Sequence, residues 1–347
     1  MRSPKSNGVF VEVGHFSLRT AFTSALRPPL VIESLEEYTS GDNWTDFEER
    51  LESEKGSSGV RYLPACCGVY PDSRFFRRHT IESFAKAKDP NYFTQLISEQ
   101  FRIDSEKNVT RVVNAVDGSV FTLDKSILNQ KEIVICGGKR DEFALEQEKI
   151  VGAGLYPETL ELGTAATVGG LIHYLKFKGI EQPTLMLEIT PSSAYLFIVS
   201  KNQIDICRPI PYGLDTMFPL IQEELGLKDL ESAKKLFFSN TFDFTEMGST
   251  LLRKMLKELQ ASTGFYEVQT GMTIGQIFVT QLPPNLSWIT TVLAKNIGVK
   301  ILEIDYTNWL GSMKIKAGDL VQLEGLDSRW VGLLSLMGNY EEATDGA

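Results

Sequence analysis

The sequence predicts an α/β protein with two domains. The chain has 347 residues, and domains of roughly 100–200 residues are usual. Apolar runs of strand length alternate with amphipathic helices along most of the chain. Two segments, GVFVEVGHFSLRTAF and LMLEITPSSAYLFIV, share the order strand, acid, turn, serine and strand. Each half therefore opens with a hairpin, and paired hairpins of this kind grip phosphates with their backbone amides.

The first half is rich in short strands joined by turns. Strand-like runs lie at 9–13, 17–23, 60–69, 74–80, 110–115 and 119–123. Gly14 marks the turn of the first pair, and Asp117-Gly118 is a strong hairpin signal for the last pair. Helices are predicted at 43–54, a mostly polar segment, and at 91–101.

A strand–helix–strand unit follows at 131–162. The buried strand KEIVICGG leads into the amphipathic helix KRDEFALEQEKIVGAG, which ends in glycine, and LYPETLEL forms the next strand. A helix at 163–178 has glycines near its start, which suits close packing against a neighbour.

The second half repeats the order of hairpin and helices. Three consecutive strands are predicted within 183–213. The later predicted elements are helices at 214–225, 229–238, 245–268 and 286–297, and strands at 276–281 and 299–304. An apolar run at 330–337 precedes the acidic tail NYEEATDGA, which we expect to be disordered.

Composition excludes several classes of protein. With 42% hydrophobic and 23% charged residues, the chain can form real cores. A net charge of −10 argues against a general nucleic-acid binder, which would need a basic surface. The N-terminal MRSPKSNG lacks the apolar core of a signal peptide, and no stretch reaches the ~18–20 apolar residues of a membrane span. These features predict a cytoplasmic protein.

The four cysteines, Cys66, Cys67, Cys136 and Cys207, form no C-x-x-C motif. Most lie in apolar runs, which predicts buried thiols in a reducing compartment. We find no nucleophile–base pair and no metal-ligand spacing, so we predict neither a catalytic residue nor a metal site.

Several polar residues allow two interpretations. Asp215 in PYGLDT could contact a nucleotide or Mg²⁺, but its position favours a helix N-cap. His173 lies on an apolar helix face and is interpreted as a packing residue. Arg74, Arg77, Arg78 and His79 form a basic cluster, for which a solvated strand face is favoured over contact with an acidic partner or lipid head groups.

Two long stretches resemble the PilM family of type IV pilus assembly proteins, which is related to the division protein FtsA. The first is LEITPSSAYLFIVSKNQIDICRPIPYGLDTM with LGLKDLESAKKL, which matches the family's hairpin, its proline–aromatic–glycine turn ending in Asp, and its next helix. The second is LLRKMLKELQASTGFYEVQTGMTIGQIFVT, like the family's helix ending in F-Y-x-x-Q before a strand. The resemblance covers nearly the whole chain.

The resemblance implies an actin-like (ribonuclease-H-like) two-domain fold with an inserted small subdomain and a nucleotide cleft. The implied parts are 1–90 for the start of the first domain, 91–162 for the insert, 163–182 for a return helix, 183–328 for the second domain, 329–338 for a C-terminal helix returning to the first domain and 339–347 for the tail. It also implies ATP binding and, at the inner membrane, a partner: the cytoplasmic N-terminal tail of PilN. The tail groove would involve strand 131–139, helix 141–152 and the region 61–79.

Two hairpin motifs depart from the family pattern. In the first hairpin the family's Asp falls at Glu12, and His15 replaces a small residue after Gly14, where an imidazole would crowd a phosphate or, if charged, contact it. In the second hairpin the Asp falls at Glu188. There Thr190 replaces a glycine, and Pro191 removes an amide donor.

Two further motifs of the cleft depart as well. The family's nucleoside-contacting Glu and Lys fall at Lys234 and Phe237, which lose that chemistry. The family's triple-glycine turn, against which the nucleotide lies, becomes Gln281 to Pro284. Two prolines there should exclude the unusual backbone angles and close ligand approach that glycine allows.

We therefore expect a PilM-like scaffold with a degenerate nucleotide cleft, no bound cofactor and no meaningful ATP hydrolysis. The vestigial cleft would contain Gly14, His15, Ser17, Ser192, Ser193, Gly213 and Asp215. The alternative is an ATP-binding switch or slow ATPase of a pilus or type II secretion system, gripping ATP through substitutes such as His15, Ser17, Ser192 and Lys234. Direct membrane anchoring is disfavoured because the C-terminal tail contains no basic amphipathic helix. A homo-oligomer is left open.

Overall fold

A computed structural model describes residues 8–39, 43–58, 60–89, 91–116, 118, 120–121 and 131–338. The chain forms two compact units. The first consists of residues up to 174 together with 305–326 and the segment from 330, and the second consists of 175–304 and 327–329. Each unit is described by itself.

A six-stranded sheet forms the centre of the first unit. Its strands are β1 (Gly8–Val13), β2 (Leu18–Thr23), β3 (Leu30–Tyr38), β4 (Leu63–Val69), β8 (Leu155–Leu162) and β14 (Ile315–Ala317), in the order β14-β3-β2-β1-β4-β8. β1 pairs antiparallel with β2 and parallel with β4. Alternation along β1 sends Val9 and Val11 to one face and Glu12 to the other.

Helices cover both faces of this sheet. On the face of Val9 and Val11, α1 (Asn43–Ser58) and α4 (Arg140–Gly152) complete a hydrophobic core. On the face of Glu12 lie α5 (Gly163–Lys178) and the short α12 (Trp330–Ser335). α11 (Tyr306–Ser312) packs on α5, because Trp309 Nε1 donates a hydrogen bond to His173 Nδ1 at 2.9 Å. His173 is therefore a packing residue, as predicted.

A second sheet of three strands also belongs to the first unit. It contains β5 (Phe75–Thr80), β6 (Asn108–Asn114) and β7 (Glu132–Lys139), with β7 in the middle and both pairings antiparallel. The short helices α2 (Phe84–Ala87) and α3 (Tyr92–Gln95) and a π-helical turn (Leu96–Gln100) build its apolar core. β5 precedes the expected start of the insert at 91, and β8 belongs to the larger sheet.

The second unit is built on a five-stranded sheet. Its strands are β9 (Thr184–Ile189), β10 (Ala194–Ser200), β11 (Gln203–Ile210), β12 (Gln276–Thr280) and β13 (Lys300–Ile301), in the order β11-β10-β9-β12-β13. Its helices are α6 (Phe218–Leu225), α7 (Leu230–Phe238), α8 (Gly248–Leu251), α9 (Arg253–Thr270) and α10 (Ser287–Ile297). The three strands predicted within 183–213 are thus confirmed.

Some predicted elements differ in detail from the structure. The helix predicted at 245–268 is broken at Leu252 into α8 and α9, and the strand predicted at 299–304 shortens to two residues. Asp117 and the acidic tail 339–347 lie outside the described residues. No helix in the part of the chain that the structure describes is long and apolar enough to cross a membrane.

The cysteines are free thiols in different environments. Cys67 and Cys136 are buried, whereas Cys66 and Cys207 are half-buried. Burial raises the pKa of Cys67 to about 12, so that this thiol stays protonated at neutral pH. The prediction of buried thiols therefore holds for two of the four.

Candidate functional site

The residues predicted to form a nucleotide site fall into two groups. Gly14, His15 and Ser17 belong to the β1–β2 hairpin of the first unit. The remaining four, Ser192, Ser193, Gly213 and Asp215, belong to the second unit, where the structure brings them together. No cluster of His, Cys, Asp and Glu that could hold a metal ion occurs among the described residues.

The acid of the first hairpin, Glu12, accepts hydrogen bonds from residues of its own unit. Glu12 is fully buried, and its Oε2 accepts from Arg19 Nε and from the Leu333 backbone N–H, each at 3.1 Å. Its Oε1 accepts a hydrogen bond from the Tyr70 hydroxyl. A Cβ on Gly332 would lie 2.2 Å from Oε1, so glycine is required for this close approach. The carboxylate is therefore a junction between the hairpin, β4 and α12.

The tip of the first hairpin closes on itself. The Gly14 N–H donates to the Ser17 carbonyl at 3.0 Å, and Ser17 is buried. His15 Nδ1 lies 3.9 Å from Asp72 Oδ1, and its ring centroid lies 6.4 Å from that of Tyr70. A bulky ring thus stands at the tip, as the sequence predicted, and it has an acidic neighbour.

Arg74 corrects one sequence prediction. It was placed on a solvated strand face, but it is buried. Its Nε donates to Thr164 Oγ1 at 3.1 Å, its Nη1 donates to the Pro71 carbonyl at 2.9 Å, and its guanidinium lies over the Tyr70 ring. Arg74 therefore ties β4 to α5 instead of facing solvent.

The second hairpin directs its donors at its own loop. The Thr190 N–H donates to the Ser193 carbonyl at 2.9 Å, and the Asp215 N–H donates to the Pro191 carbonyl at 2.8 Å. A Cβ on Gly213 would lie 2.4 Å from the Pro191 oxygen and from the Ser193 nitrogen. These amides are occupied within the turn, so they are not free to bind a phosphate.

The favoured interpretation of Asp215 was wrong. It was expected to cap a helix, but it lies inside a 3₁₀ turn, Leu214–Met217, whose N-cap is Gly213. The next helix, α6, has Met217 as its N-cap and no side-chain cap. In this region a side-chain cap occurs at Asp229, which accepts from the Ser232 N–H at the start of α7.

Phe237 is a core residue of the second unit. Its ring lies within 5.2–6.1 Å of those of Phe218, Phe238, Phe244 and Trp288, measured between centroids. It is buried, whereas Lys234 on the same helix is exposed. The position that the resemblance equates with a nucleoside contact is thus used here for packing.

The turn after β12 differs from expectation in its backbone. Gln281 has φ of +65°, the left-handed conformation that favours glycine, although the prolines were expected to exclude such angles. The Gln281 side chain is buried, and Leu282 beside it is buried too. Gln281 therefore adopts the backbone angle typical of glycine, while the side chains of Gln281 and Leu282 fill the space that a glycine turn would leave open.

β5 lies within the region that the resemblance implies for a tail groove. β7 is paired on both sides, so it offers no edge, whereas no described strand pairs with the outer side of β5. The Ile81 N–H donates to the Lys131 carbonyl. Because hydrogen-bonded and non-bonded pairs alternate in an antiparallel ladder, the amides of Phe76, Arg78 and Thr80 face away from β7. β5 is therefore an edge strand of this sheet among the described strands, and it is exposed at Thr80.

Comparisons with known proteins define the fold class. No family model matches the chain, and no curated protein matches it. The chain has the actin-like α/β fold that the resemblance implied, as its match to one solved structure shows. Among solved structures, a chain of the PilM–PilN type IV pilus biogenesis complex matches 96% of this chain and 98% of its own length, with a TM-score of 0.69 and 14% identity. The resemblance to PilM is thereby confirmed at the level of the fold.

Two other solved structures align less well. A Bacteroides thetaiotaomicron protein with an actin-like ATPase fold and unknown function has a TM-score of 0.45 and 9% identity, over 86% of this chain and 91% of that one. The cytoplasmic domain of EpsL, an inner membrane component of the Vibrio cholerae type II secretion system, has a TM-score of 0.41 and 9% identity, over 95% and 93%.

Proposed function

We propose that this protein is a PilM-like cytoplasmic scaffold of type IV pilus assembly. It would bind the cytoplasmic N-terminal tail of a PilN-like inner-membrane protein and so lie at the membrane through that partner. The observation that carries the proposal is the fold match over nearly the full length of both chains with a chain of the PilM–PilN complex. In this scheme residues 91–162 are the inserted subdomain and 183–328 form the second domain, although residues 305–326 pack with the first compact unit.

The outer edge of β5 is our proposed seat for the tail. An extended segment can add to the exposed end of an edge strand, here at Thr80, through main-chain hydrogen bonds, with side-chain pockets adding specificity. Arg77 Nη1 donates to the Phe76 carbonyl at 2.9 Å, so one outward acceptor of this edge already takes a hydrogen bond. Arg78 and His79 are half-buried beside it, and Arg78 Nη2 pairs with Glu132 Oε2 at 2.7 Å.

Thr80→Pro is expected to weaken tail binding by about 10-fold. Thr80 is exposed, and proline there removes the outward N–H but leaves the ladder to β7 intact, because edge strands tolerate proline. Loss of one main-chain hydrogen bond and the added ring account for an effect of this size. The probe is a peptide of the N-terminal segment of a PilN-like one-span membrane protein, titrated by calorimetry.

Thr80→Ala is the matched control, because it removes the hydroxyl, which donates to Glu132 Oε1 at 2.9 Å, and keeps the amide. It should bind the peptide within about 2-fold of the unsubstituted protein, since this exposed hydrogen bond is made within the chain and does not involve the tail. Equal weakening by both variants would assign recognition to the side chain instead of the strand edge. Full binding by Thr80→Pro would place the tail elsewhere.

We further propose that the nucleotide site is degenerate. Four observations support this: the internal contacts of Glu12, the self-bonded turn at Thr190 to Ser193, the packed Phe237 and the filled turn at Gln281. Each position is one at which the family places a nucleotide contact. Together they favour a scaffold over an ATP-driven switch.

Calorimetric titration with Mg²⁺-ATP is expected to show no saturable heat up to about 1 mM, a limit that corresponds to a binding free energy weaker than about −4 kcal/mol. The tail peptide, titrated into the same preparation, should bind and thereby show that the protein is folded and active. Saturation by ATP at micromolar concentration would instead support the alternative, an ATP-binding switch or slow ATPase.

A further inference from the structure

Helix α9 has a buried face and an unusual exposed one. The buried face packs Leu259, Thr263 and Tyr266, and the Tyr266 hydroxyl donates to Asp205 Oδ2 at 3.0 Å. On the opposite face lie Phe265, which is 58% exposed, and Val268, which is 88% exposed. With Ala261, which is also exposed, they follow the 4–3 spacing of one helix stripe. We call these three residues the outer stripe.

Gly264 lies beside the outer stripe, and no contact within the chain requires a glycine at this position. A Cβ placed on it would meet nothing within 4 Å, and glycine inside a helix is less stable than alanine. Neither backbone angle nor packing requires it, since it lies in the middle of α9. A notch beside two exposed apolar side chains is instead suited to a surface that approaches from outside.

The outer stripe is complementary to itself about a two-fold axis. If two copies of α9 pack antiparallel about the level of residue 263, each large Phe265 lies over the small Ala261 of the other copy. The notch at Gly264 then lies next to the axis and allows the two helices to approach closely. The Phe265–Ala261 contact would thus occur twice, once on each side of the axis, as in an isologous interface, in which the same surface of both copies is self-complementary.

Charge also favours the antiparallel arrangement. Lys254 and Lys257 are exposed near the N-terminal end of the same face, and Lys254 Nζ lies 5.6 Å from the centroid of the Tyr212 ring. In a parallel pair these lysines would meet their own copies. In an antiparallel pair they approach the C-terminal end of the other α9, where the helix dipole is negative.

We propose that this protein forms a weak two-fold symmetric dimer through antiparallel packing of α9 against a second copy of the same chain. The contact is formed by the outer stripe and Gly264, with the lysine pair at either end. One helix face is smaller than the roughly 800 Å² per partner of a standard stable interface. The dimer should therefore depend on concentration and dissociate on dilution.

Sedimentation velocity of the full chain from about 1 μM to about 1 mM tests this directly. The unsubstituted protein should shift from monomer to dimer over the series. Phe265→Asp should stay monomeric throughout, because it buries a charge at the contact in both copies. Leu320→Asp, at an apolar side chain that is 94% exposed in the first unit, is the matched control and should dimerise normally.

Gly264→Ala separates a dimer contact from a merely structural role. It should raise resistance to denaturant while weakening the dimer at least several-fold, because the added methyl groups fill the notch. Lys254→Glu with Lys257→Glu should also weaken the dimer, and more strongly at low salt. A chain that is monomeric at the highest concentration, or a dimer unchanged by Phe265→Asp, would overturn the proposal.

Discussion

Replacing Glu12 by alanine is expected to lower the free energy of unfolding by about 3–5 kcal/mol, which is the usual cost of breaking a buried ion pair. Arg19 would remain buried without its carboxylate, and both the Tyr70 hydroxyl and the Leu333 N–H would lose their acceptor. Denaturant-induced unfolding followed by tryptophan fluorescence measures the change.

The double variant Glu12→Leu with Arg19→Met is the control for charge. Removing both partners leaves no uncompensated charge, so the part of the loss that is due to buried charge should return, while the Tyr70 hydroxyl and the Leu333 N–H still lack their acceptor. The single variant also separates two roles for this acid. Replacing a residue that is kept for ligand binding often leaves the stability of the protein unchanged or raises it. If Glu12→Ala proved as stable as the unsubstituted protein, the carboxylate would be held for a ligand and the junction described above would be incidental.

Replacing Phe237 by alanine is expected to cost about 3–5 kcal/mol, as for other buried aromatic residues. Its ring contacts four others, and each aromatic pair adds stability beyond simple burial. The loss should be measured as a lower denaturation midpoint with an unchanged slope. Because typical domains have only 5–15 kcal/mol of stability in total, the second unit of this variant should be visibly destabilised.

Lys234→Ala is the matched control on the same helix. The side chain is exposed, so its removal should change stability by less than about 0.5 kcal/mol. If position 237 served a nucleoside instead of the core, Phe237→Ala would leave unfolding nearly unchanged. In that case it would alter only the response to nucleotide.

The contacts of the first hairpin were partly readable from sequence. With a turn at Gly14 to Ser17, antiparallel register places residue 12 opposite residue 19, so an acid and a base share one face. The register alone is therefore enough to pair Glu12 with Arg19, although we did not predict this pair from the sequence. Tyr70 and Leu333 were beyond such reasoning, because their approach depends on how β4 and α12 pack, and no local pattern encodes that.

Burial of polar residues was the least predictable feature. Arg74 adjoins a strand that reads as half solvated, yet its guanidinium is satisfied by Thr164 and Pro71. Gln281 was mispredicted in its backbone. The residue types of this turn suggested ordinary backbone angles, whereas the structure has a left-handed conformation at Gln281. In both cases tertiary contacts override the preference of the residue, whereas the hairpins and most helices follow local periodicity.

The hydrogen bond between the Leu333 amide and Glu12 joins residues 321 positions apart. During synthesis β1 leaves the ribosome early, but the Glu12 carboxylate cannot bond to α12 until almost the whole chain has been translated. The first unit therefore contains both the first and the last described segments to be made, with the entire second unit produced in between. Such non-local closure slows folding. The first unit can therefore be completed only late in translation. Ribosome-stalled chains that end before residue 333 would not complete it.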